Sequence, residues 1–266
     1  MNEPSPDLLN KLIEDVHISA KYRTVCESVI RNIGRHELSI RHSYREAVKE
    51  TKNTLHQVAG AYLQGRMRYD RWIDELVDNS GESLKETCRR LMRYHASTRE
   101  RLPVLSEFYT ALFDLLPEPK TICDIGCGLN PLSIPWMPVS PDTVFHVYDI
   151  YMDQVDYLNR FFTCCGIRGQ ATASDITATP PVAHADLALM FKILPLLDRL
   201  PYTNTRTFLH TVNADHMAVS FPTRSLGGKE KGMASHYEQL FLEMMDDSWE
   251  VERMVFETEL VFVVQK

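Results

Sequence analysis

The chain has 266 residues, 44% of them hydrophobic, which is enough for one large domain or for a catalytic domain with a smaller appendage. Its formal charge of −7 argues against indiscriminate coating of nucleic acid. There is no apolar run of about 18 residues, no signal-peptide pattern at the N-terminus and no CxxC pair among the cysteines, so we expect a cytoplasmic protein without a membrane span or a metal site.

The first hundred residues have helical periodicity throughout. Ser5 followed by Pro6 predicts a helix start, with Pro at the first helical position. Apolar residues from Tyr22 to Ile33 continue at helical spacing, and Gly34 is expected to end that helix. Serine with glutamate three residues later is a capping box that predicts further helix starts, at 43/46, 83/86 and 97/100.

Charge is distributed unevenly along the chain. Residues 1–102 contain 18 Lys and Arg against 15 Asp and Glu, a net +3, whereas residues 103–266 contain 11 against 21, a net −10. Eight basic residues oppose four acidic ones between 21 and 52: Lys21, Arg23, Arg31, Arg35, Arg41, Arg45, Lys49 and Lys52. This pattern fits either a solvated helical surface or a face that contacts RNA phosphates.

From about residue 120, short apolar runs alternate with helical stretches, which predicts an α/β fold. The expected strands cover 121–125, 144–149, 168–173, 186–191, 216–221, 250–256 and 259–265. Seven strands with an antiparallel last pair are typical of class I methyltransferases. We therefore predict a Rossmann-like seven-stranded sheet in a domain spanning 101–266, preceded by an all-helical extension spanning 1–100.

The stretch Asp124-Ile-Gly126-Cys-Gly128 predicts a buried strand that ends in an acidic residue and a tight glycine turn. An acidic residue in this position suits a cofactor with a cationic amino group, of which S-adenosyl-L-methionine (AdoMet) is the usual one. A dinucleotide-binding loop would need a third glycine three positions after the second, where this chain has Pro131.

Acidic residues also follow the next two predicted strands. Asp149 ends the second strand and suits ribose hydroxyls, while Asp175, after Ser174, suits the adenine amino group. The carboxyl ends of parallel strands meet at one edge of a sheet, so we expect these side chains to share a ligand site with Asp124. Upstream, Arg99 or Arg101 suits the methionyl carboxylate, because the arginine fork pairs with a carboxylate in bidentate fashion.

Basic residues follow the fourth and fifth predicted strands. Lys192 ends an apolar strand and is expected to point into the mouth of the cleft. The fifth strand continues into a segment from Pro222 to Gly232 that combines Arg224, Lys229 and Lys231 with glycines, and this composition suits a mobile clamp for an anionic polymer.

Four motifs in this order closely resemble the aminoglycoside-resistance 16S ribosomal RNA methyltransferases. They are His95-Ala-Ser-Thr-Arg-Glu-Arg-Leu, Asp124-Ile-Gly-Cys-Gly-Leu-Asn-Pro-Leu, Phe191-Lys-Ile-Leu-Pro-Leu-Leu and Ser220-Phe-Pro-Thr-Arg-Ser-Leu-Gly-Gly-Lys. The resemblance covers about residues 20–266 and is closest to the branch that methylates N7 of a decoding-site guanine.

The resemblance implies a monomer that docks on the small (30S) ribosomal subunit through its helical extension and methylates 16S rRNA with AdoMet. It implies a cofactor-binding set of His95, Arg101, Asp124, Gly126, Asp149, Ile150, Ser174, Asp175 and Phe191. Lys192, Asp198, Arg224 and Lys229 fall at positions for RNA engagement or target-base positioning. Where this chain has Lys229, members of the family often have Arg, which offers a bidentate fork that lysine lacks.

Alternatives remain at this point. A methyltransferase of the same fold could act on N1 of a decoding-site adenine or on a small molecule, although the basic helical extension disfavours the small molecule. A noncatalytic RNA-binding module could hold AdoMet as a structural ligand. A nicotinamide dehydrogenase is disfavoured by Pro131.

Overall fold

A computed structural model describes residues 3–78, 83–181, 183–223 and 233–266. The predicted clamp residues Arg224, Lys229 and Lys231 lie outside the described residues. Within the described ranges, no helix is long and apolar enough to cross a membrane.

Within the described residues, seven α-helices precede the first strand, in agreement with the helical periodicity of this region. They are α1 (Pro6–His17), α2 (Glu27–Ile40), α3 (Tyr44–Leu55), α4 (Tyr69–Val77), α5 (Leu84–Leu91), α6 (Ala96–Arg101) and α7 (Leu105–Asp114). Ser5, Ser43 and Ser83 each cap a helix through the side-chain oxygen, which accepts a hydrogen bond from a backbone N–H of the first turn. A π-helical turn (His56–Gly60) directly follows α3.

Two predicted helix boundaries are wrong. Gly34 does not end a helix but lies inside α2, where a Cβ atom would come within 2.5 Å of Leu12 Cδ2. The glycine therefore allows α1 and α2 to pack closely. The predicted cap at Ser97 is also wrong, because α6 begins at Ala96 with His95 before it and Ser97 is buried inside the helix.

The seven predicted strands form one sheet. They are β1 (Thr121–Ile125), β2 (Val144–Asp149), β3 (Gly169–Ala173), β4 (Ala185–Phe191), β5 (Ala214–Pro222), β6 (Glu250–Phe256) and β7 (Glu259–Gln265). The strand order is β3-β2-β1-β4-β5-β7-β6, with β1 to β5 parallel and β7 antiparallel to both of its neighbours. The order reverses between β1 and β4, so the carboxyl ends of these strands border the crevice where open α/β sheets bind ligands.

The helices that follow β1 in the described residues are α8 (Met152–Cys164), α9 (Leu194–Leu197), α10 (Thr205–Thr211) and α11 (Met233–Met244). Together with the earlier helices they cover both faces of the sheet. Buried side chains of α1, α2 and α3 belong to the same hydrophobic cluster as one face of β1, β4, β5 and β7. The cluster on the other face contains side chains of α4, α5, α7 and α8. Helices from the N-terminal extension thus contribute to both cores, and a domain boundary near residue 100 stays a prediction.

Candidate active site

The turn after β1 brings the backbone to the floor of a cleft. Gly126 and Gly128 have φ angles of 67° and 51°, in the left-handed region that favours glycine. A Cβ on Gly126 would lie 2.6 Å from Ile193 Cδ1, and one on Gly128 would lie 2.7 Å from His95 Cε1. The amides of Gly126 and Cys127 both donate to the Tyr148 carbonyl, at 2.9 and 3.0 Å. No side chain fits either glycine position, so both glycines are required by the geometry.

The cleft encloses about 980 Å³, including space open to solvent at its mouth. Its lining brings together nearly all the described residues that the sequence marks for cofactor or target contact: His95, Asp124, Gly126, Asp149, Ile150, Ser174, Asp175, Phe191 and Lys192. Of the described residues in that set, Arg101 and Asp198 are not in the lining, and Asp198 is exposed just after α9.

Asp124 is a buried carboxyl group at the end of β1. Its Oδ2 accepts one hydrogen bond, from Asn130 Nδ2 at 2.9 Å. Burial raises the pKa of Asp124 to about 7, against the lowering effects of Asn130 and Arg101. A cationic ligand group would strongly stabilise the ionised form of a desolvated carboxylate of this kind. The ligand would supply the positive charge that the protein does not fully provide.

Asp149 is held by the backbone around the glycine turn. Its Oδ2 accepts from the Gly128 amide at 2.8 Å, and its Oδ1 accepts from the amides of Ile150 and Tyr151 at 2.7 and 3.3 Å. Burial raises the pKa of Asp149, and these backbone hydrogen bonds oppose the rise. Oδ2 keeps a second acceptor site, so the group can still receive a hydroxyl donor from a ligand.

Asp175 is also buried, and it connects the cleft to the N-terminal helices. Its Oδ2 accepts from Asn32 Nδ2 of α2 at 2.8 Å and from the Tyr202 hydroxyl at 3.2 Å. The hydroxyl of Thr177 donates to its Oδ1 at 2.6 Å. The Thr177 amide also donates to Oδ1, at 3.1 Å, so Asp175 accepts four hydrogen bonds against three for Asp149 and has less capacity for a ligand. Ser174 beside it lines the cleft as well.

His95 presents a polar atom without a partner. Its Nδ1 is buried and makes no hydrogen bond. Burial lowers the pKa of His95 to about 4, and the nearby cations Lys192 and Arg101 lower it further. The imidazole is therefore neutral near pH 7, with one ring N–H donor and one ring acceptor. An unpaired buried polar atom is costly, and a polar ligand group in the cleft would remove that cost.

Arg101 does not reach the cleft lining. It is fully buried, with Nε 3.0 Å from Glu259 Oε2 and Nη1 2.7 Å from Asn130 Oδ1, and its guanidinium packs against the rings of Phe108 and Phe191. Its bidentate fork is occupied by Glu259. This arrangement does not support the predicted direct contact between Arg101 and a methionyl carboxylate.

Arg99, the other arginine considered for that contact, is exposed. Its Nη1 lies 3.0 Å from Gln64 Oε1, outside the cleft lining. Neither arginine therefore presents its guanidinium to the cleft. The sequence left the choice between the two arginines open. In the structure Arg101 contacts Asn130, which in turn donates a hydrogen bond to Asp124.

Lys192 follows β4 in an unusual conformation. It is the one non-glycine residue with a positive φ angle in the described part of the chain, at 59°. Its backbone N–H reaches the carbonyl and the hydroxyl oxygen of Ser220, at 3.0 and 3.2 Å. Its Nζ lies 2.8 Å from Glu100 Oε2 and 3.7 Å from Glu259 Oε2. Non-glycine residues in this region are strained and cluster at functional sites.

The prediction that Lys192 points into the cleft mouth is therefore wrong for its charged end. The residue lines the cleft, but it is only 4% exposed and its ammonium group is taken up by two carboxylates. The physical reason is that an unpaired ammonium beside the apolar Ile193 and Leu194 would be poorly solvated, whereas Glu100 and Glu259 neutralise it.

Glu259 is the residue of this site that the sequence analysis missed. It is fully buried at the start of β7 and accepts hydrogen bonds from Arg101 and from the Ser220 hydroxyl. Burial alone would raise the pKa of Glu259, but Arg101 and Lys192 outweigh burial and lower it. The one signal in the sequence is a glutamate at the head of an otherwise apolar strand, Glu259-Leu-Val-Phe-Val-Val.

A chain of contacts connects Glu259 to the cleft floor. Glu259 binds Arg101, Arg101 donates to Asn130 Oδ1, and Asn130 Nδ2 donates to Asp124. The Tyr109 hydroxyl also donates to Asn130 Oδ1, at 2.7 Å. The orientation of Asp124 therefore depends on a buried network whose charges are balanced by Glu259.

The N-terminal helical region also lines the cleft. Val29 of α2 contributes from one side, and Val58, Ala59, Tyr62 and Leu63 contribute from the π-helical turn and the segment after it. Nothing in the sequence marks these residues, since their position depends on how the extension packs against the sheet.

Among the described residues, one group of possible metal ligands lies away from the cleft. His184, Asp186 and Asp215 are at the amino ends of β4 and β5. Asp186 Oδ2 accepts from the amides of Lys120 and Thr121, at 2.7 and 2.8 Å, so this carboxylate already joins β4 to the start of β1.

Residues 18–263 match the family model described as ribosomal RNA methyltransferase (FmrO). The chain belongs to this family. The 16S rRNA (guanine(1405)-N(7))-methyltransferase of Micromonospora echinospora is 33% identical over 98% of this chain and 97% of its own length. A protein of the same name from Serratia marcescens is 31% identical over 97% and 98%.

Two solved structures resemble the chain over nearly its full length. The 16S rRNA methyltransferase RmtF, in complex with S-adenosyl-L-homocysteine, superposes with a TM-score of 0.85 at 28% identity, covering 99% of this chain and 100% of RmtF. The 16S rRNA methylase RmtB gives a TM-score of 0.82 at 27% identity, covering 97% and 98%. The helical extension and the seven-stranded sheet are thus both shared with these structures.

Proposed function

We propose that this protein methylates N7 of a decoding-site guanine in 16S rRNA, with AdoMet as the methyl donor, and thereby confers resistance to aminoglycosides. The observation that carries the proposal is the family match over residues 18–263, with relatives named as 16S rRNA (guanine(1405)-N(7))-methyltransferases aligned from end to end. The guanine position named for those relatives, 1405, is the position proposed here.

The cleft supports AdoMet as the cofactor because its polar groups match the donor's ends. Asp124 suits the methionyl ammonium, and Asp149 suits the ribose hydroxyls. Ser174, Asp175 and Ile150 suit the adenine end, while Gly126 and Phe191 line the wall near Asp124. His95, with its unpartnered Nδ1, suits the methionyl carboxylate. S-adenosyl-L-homocysteine bound to RmtF supports the same cofactor class.

The chemistry requires alignment more than acid-base catalysis. When bound, AdoMet supplies an electrophilic methyl group on a sulfonium. Guanine N7 carries a free lone pair and no proton, so no side chain has to act as a general base. Holding the two reactants in line can supply roughly 7–11 kcal/mol of the barrier reduction. The neutral His95 fits this scheme because it adds no charge beside the sulfonium.

The buried network beneath the cleft has a positioning role in this proposal. Arg101 and Lys192 bring two cations close to the place where a sulfonium would lie, and Glu259 and Glu100 balance both charges. Without that balance, the cations would oppose binding of a positively charged donor. Arg101 is therefore proposed to orient Asn130 and Asp124 instead of touching the carboxylate, and Lys192 to shape the target side of the cleft.

The assembled 30S subunit is proposed as the substrate, approached by the protein as a monomer in the cytoplasm. Exposed arginines on the N-terminal helical region support this, namely Arg23, Arg35 and Arg45. Other cations of that region form ion pairs, Arg31 with Glu27 and Arg41 with Glu37. Exposed cations are the ones able to replace counterions on the phosphate backbone. The predicted roles of Arg224 and Lys229 in RNA engagement stay part of this proposal.

The test is to incubate the purified protein with AdoMet and either 30S subunits or naked 16S rRNA, and to map methylated nucleotides by mass spectrometry. The proposal expects 7-methylguanosine at the decoding site of 30S subunits, with far less on naked RNA. Methylation of adenine N1 instead would favour the alternative target, and no transfer to either RNA would reject the proposal.

A further inference from the structure

One wall of the cofactor cleft is built by the N-terminal helical extension. The segment just before α2 pairs in antiparallel fashion with the segment just after β2. In this pairing the Cys26 amide donates to the Ile150 carbonyl at 2.8 Å, and the Met152 amide donates to the Thr24 carbonyl at 2.7 Å. Val29, in the first turn of α2, lines the cleft, as Ile150 does. The start of α2 is therefore fixed against the side of the cleft where Ile150 lies.

Asn32 extends this wall by one helical turn. It follows Val29 by three residues in α2, so the two side chains lie on the same face of the helix. Its Nδ2 donates to Asp175 Oδ2 at 2.8 Å, across 143 residues of sequence. Asn32 is half-buried and does not line the cleft, whereas Asp175 is buried and does. Asn32 can therefore act on a ligand in the cleft through Asp175.

The hydrogen-bond partners of the Asp175 carboxylate among the described residues are all donors. Its Oδ1 accepts from the amide and the hydroxyl of Thr177, and its Oδ2 accepts from Asn32 and from the Tyr202 hydroxyl. The Tyr202 bond, at 3.2 Å, is longer than the range of about 2.5–3.0 Å that is usual for O–H···O bonds. Oδ2 is thus the oxygen at which an incoming donor can replace a weakly held neighbour.

A carboxylate surrounded by donors offers a ligand only an acceptor. The 6-amino group of adenine is a donor, whereas the 6-oxo group of hypoxanthine is an acceptor whose lone pairs would face those of Asp175. A site built to receive an N–H group rejects an analogue that lacks it, because a buried polar group of the site is then left unpaired. The strong bond from Asn32 keeps Asp175 in this orientation when Tyr202 is displaced.

We propose that Asn32 is a positioning residue for the adenine end of AdoMet. It holds Asp175 so that Oδ2 receives the 6-amino group, and the helical extension thereby takes part in selecting the cofactor. The proposal rests on the proposed function, in which Asp175 serves the adenine end of the donor. Without the Asn32 donor the carboxylate can turn, so the amino group would be bound less tightly and a 6-oxo purine would be rejected less strongly.

The experiment measures two dissociation constants by calorimetry, for S-adenosyl-L-homocysteine and for S-inosyl-L-homocysteine, which has a 6-oxo group in place of the 6-amino group. The unchanged protein should bind the adenosyl ligand more tightly by roughly 10- to 150-fold, the contribution of a hydrogen bond to a charged group. In Asn32→Leu this ratio should fall by about fivefold or more, through weaker binding of the adenosyl ligand.

Two control variants accompany Asn32→Leu. Asn53→Leu is the matched control, because Asn53 is exposed on α3 and donates to Glu50 Oε2 at 3.1 Å. It should leave both dissociation constants within about twofold of those of the unchanged protein. Tyr202→Phe keeps the ring and removes only the long hydrogen bond, so the ratio should stay within about threefold.

The ratio separates a positioning role from a general loss of structure. A variant with a damaged cleft would bind both ligands less tightly and keep the ratio, and this result in Asn32→Leu would overturn the proposal. Equal binding of the two ligands by the unchanged protein would also overturn it, as would a fall in Tyr202→Phe as large as that in Asn32→Leu.

Asn32→Asp keeps the proposal testable if Asn32→Leu does not fold. The new side chain has the same shape but removes the donor and places a second carboxyl group beside Asp175. Two neighbouring carboxyl groups tend to share a proton, which gives the pair a donor for a 6-oxo group. The ratio should therefore fall in this variant too, and an unchanged ratio would contradict the proposal. Failure of the proposed function has a separate readout, the absence of 7-methylguanosine in treated 30S subunits, whatever the ratio is.

Discussion

Replacing Glu259 by glutamine should destabilise the protein strongly although the two side chains have nearly the same shape. Glu259 is fully buried and is paired with the guanidinium of Arg101, and it also faces Lys192 Nζ at 3.7 Å. Glutamine would leave the buried guanidinium of Arg101 without this anionic partner and would leave Lys192 paired with Glu100. Removing one partner of a buried ion pair typically costs about 3–5 kcal/mol.

That loss is a large part of the roughly 5–15 kcal/mol by which folded domains are stable. For a chain of this size it corresponds to a fall in Tm of about 6–20 °C. The measurement is thermal and urea unfolding followed by circular dichroism. Glu252→Gln is the matched control, because Glu252 is exposed on the edge strand β6 and should change the free energy of unfolding by less than about 0.5 kcal/mol.

The losses of stability on replacing Arg101 and Glu259 should not be additive. Replacing Arg101 and Glu259 together by methionine removes both charges, so the double variant should lose less stability than the two single variants summed, by about 1–3 kcal/mol. The account of the network would be refuted if Glu259→Gln unfolded like the unchanged protein. Simple additivity in the double variant would equally show that the two charges do not depend on each other.

Three further predictions concern the cofactor cleft. Because the pKa of Asp124 is raised to about 7, AdoMet should bind more tightly as pH rises from about 6 to 8, and Asp124→Asn should abolish that trend in calorimetry. Asp149→Asn should weaken AdoMet binding by roughly 10- to 100-fold, since a charged acceptor of hydroxyl donors is lost; an unchanged dissociation constant would remove its proposed role. Gly126→Ala should abolish binding because its Cβ would lie 2.6 Å from Ile193, whereas Gly65→Ala, with a φ of 75° and no atom within 4 Å, should bind normally.

The α/β part of the fold could be predicted almost entirely from local patterns. The bounds of β1, β2, β6 and β7 agree with those expected from the sequence. The strand-end carboxylates Asp124, Asp149 and Asp175 likewise meet in one cleft, since parallel strands bring their carboxyl ends to one edge.

The charged network could not be predicted in the same way. Arg101 and Glu259 are 158 residues apart in the chain, and the sequence contains no record of their pairing. From the sequence, an arginine beside a predicted cofactor site is interpreted as a ligand contact, because the carboxylate that pairs with it in the fold is not known. The predicted direction of the Lys192 ammonium group was wrong for the same reason, because its partners Glu100 and Glu259 belong to two other elements.

The helical extension was predicted in outline but not in its contacts. Gly34 resembles a helix end until the close approach of Leu12 is known, and Tyr62 and Leu63 have no local feature that marks them as cleft residues. Both depend on how helices pack against each other or against the sheet, and periodicity alone gives which face is apolar without giving what that face meets.

The most direct test of the central claim is the methylation state of 16S rRNA in bacteria that express this chain, mapped by mass spectrometry and by primer extension after borohydride and aniline cleavage. The account predicts 7-methylguanosine at the decoding-site guanine, lost when Asp149 is replaced by asparagine. An unmodified guanine in cells that contain the folded protein would contradict it.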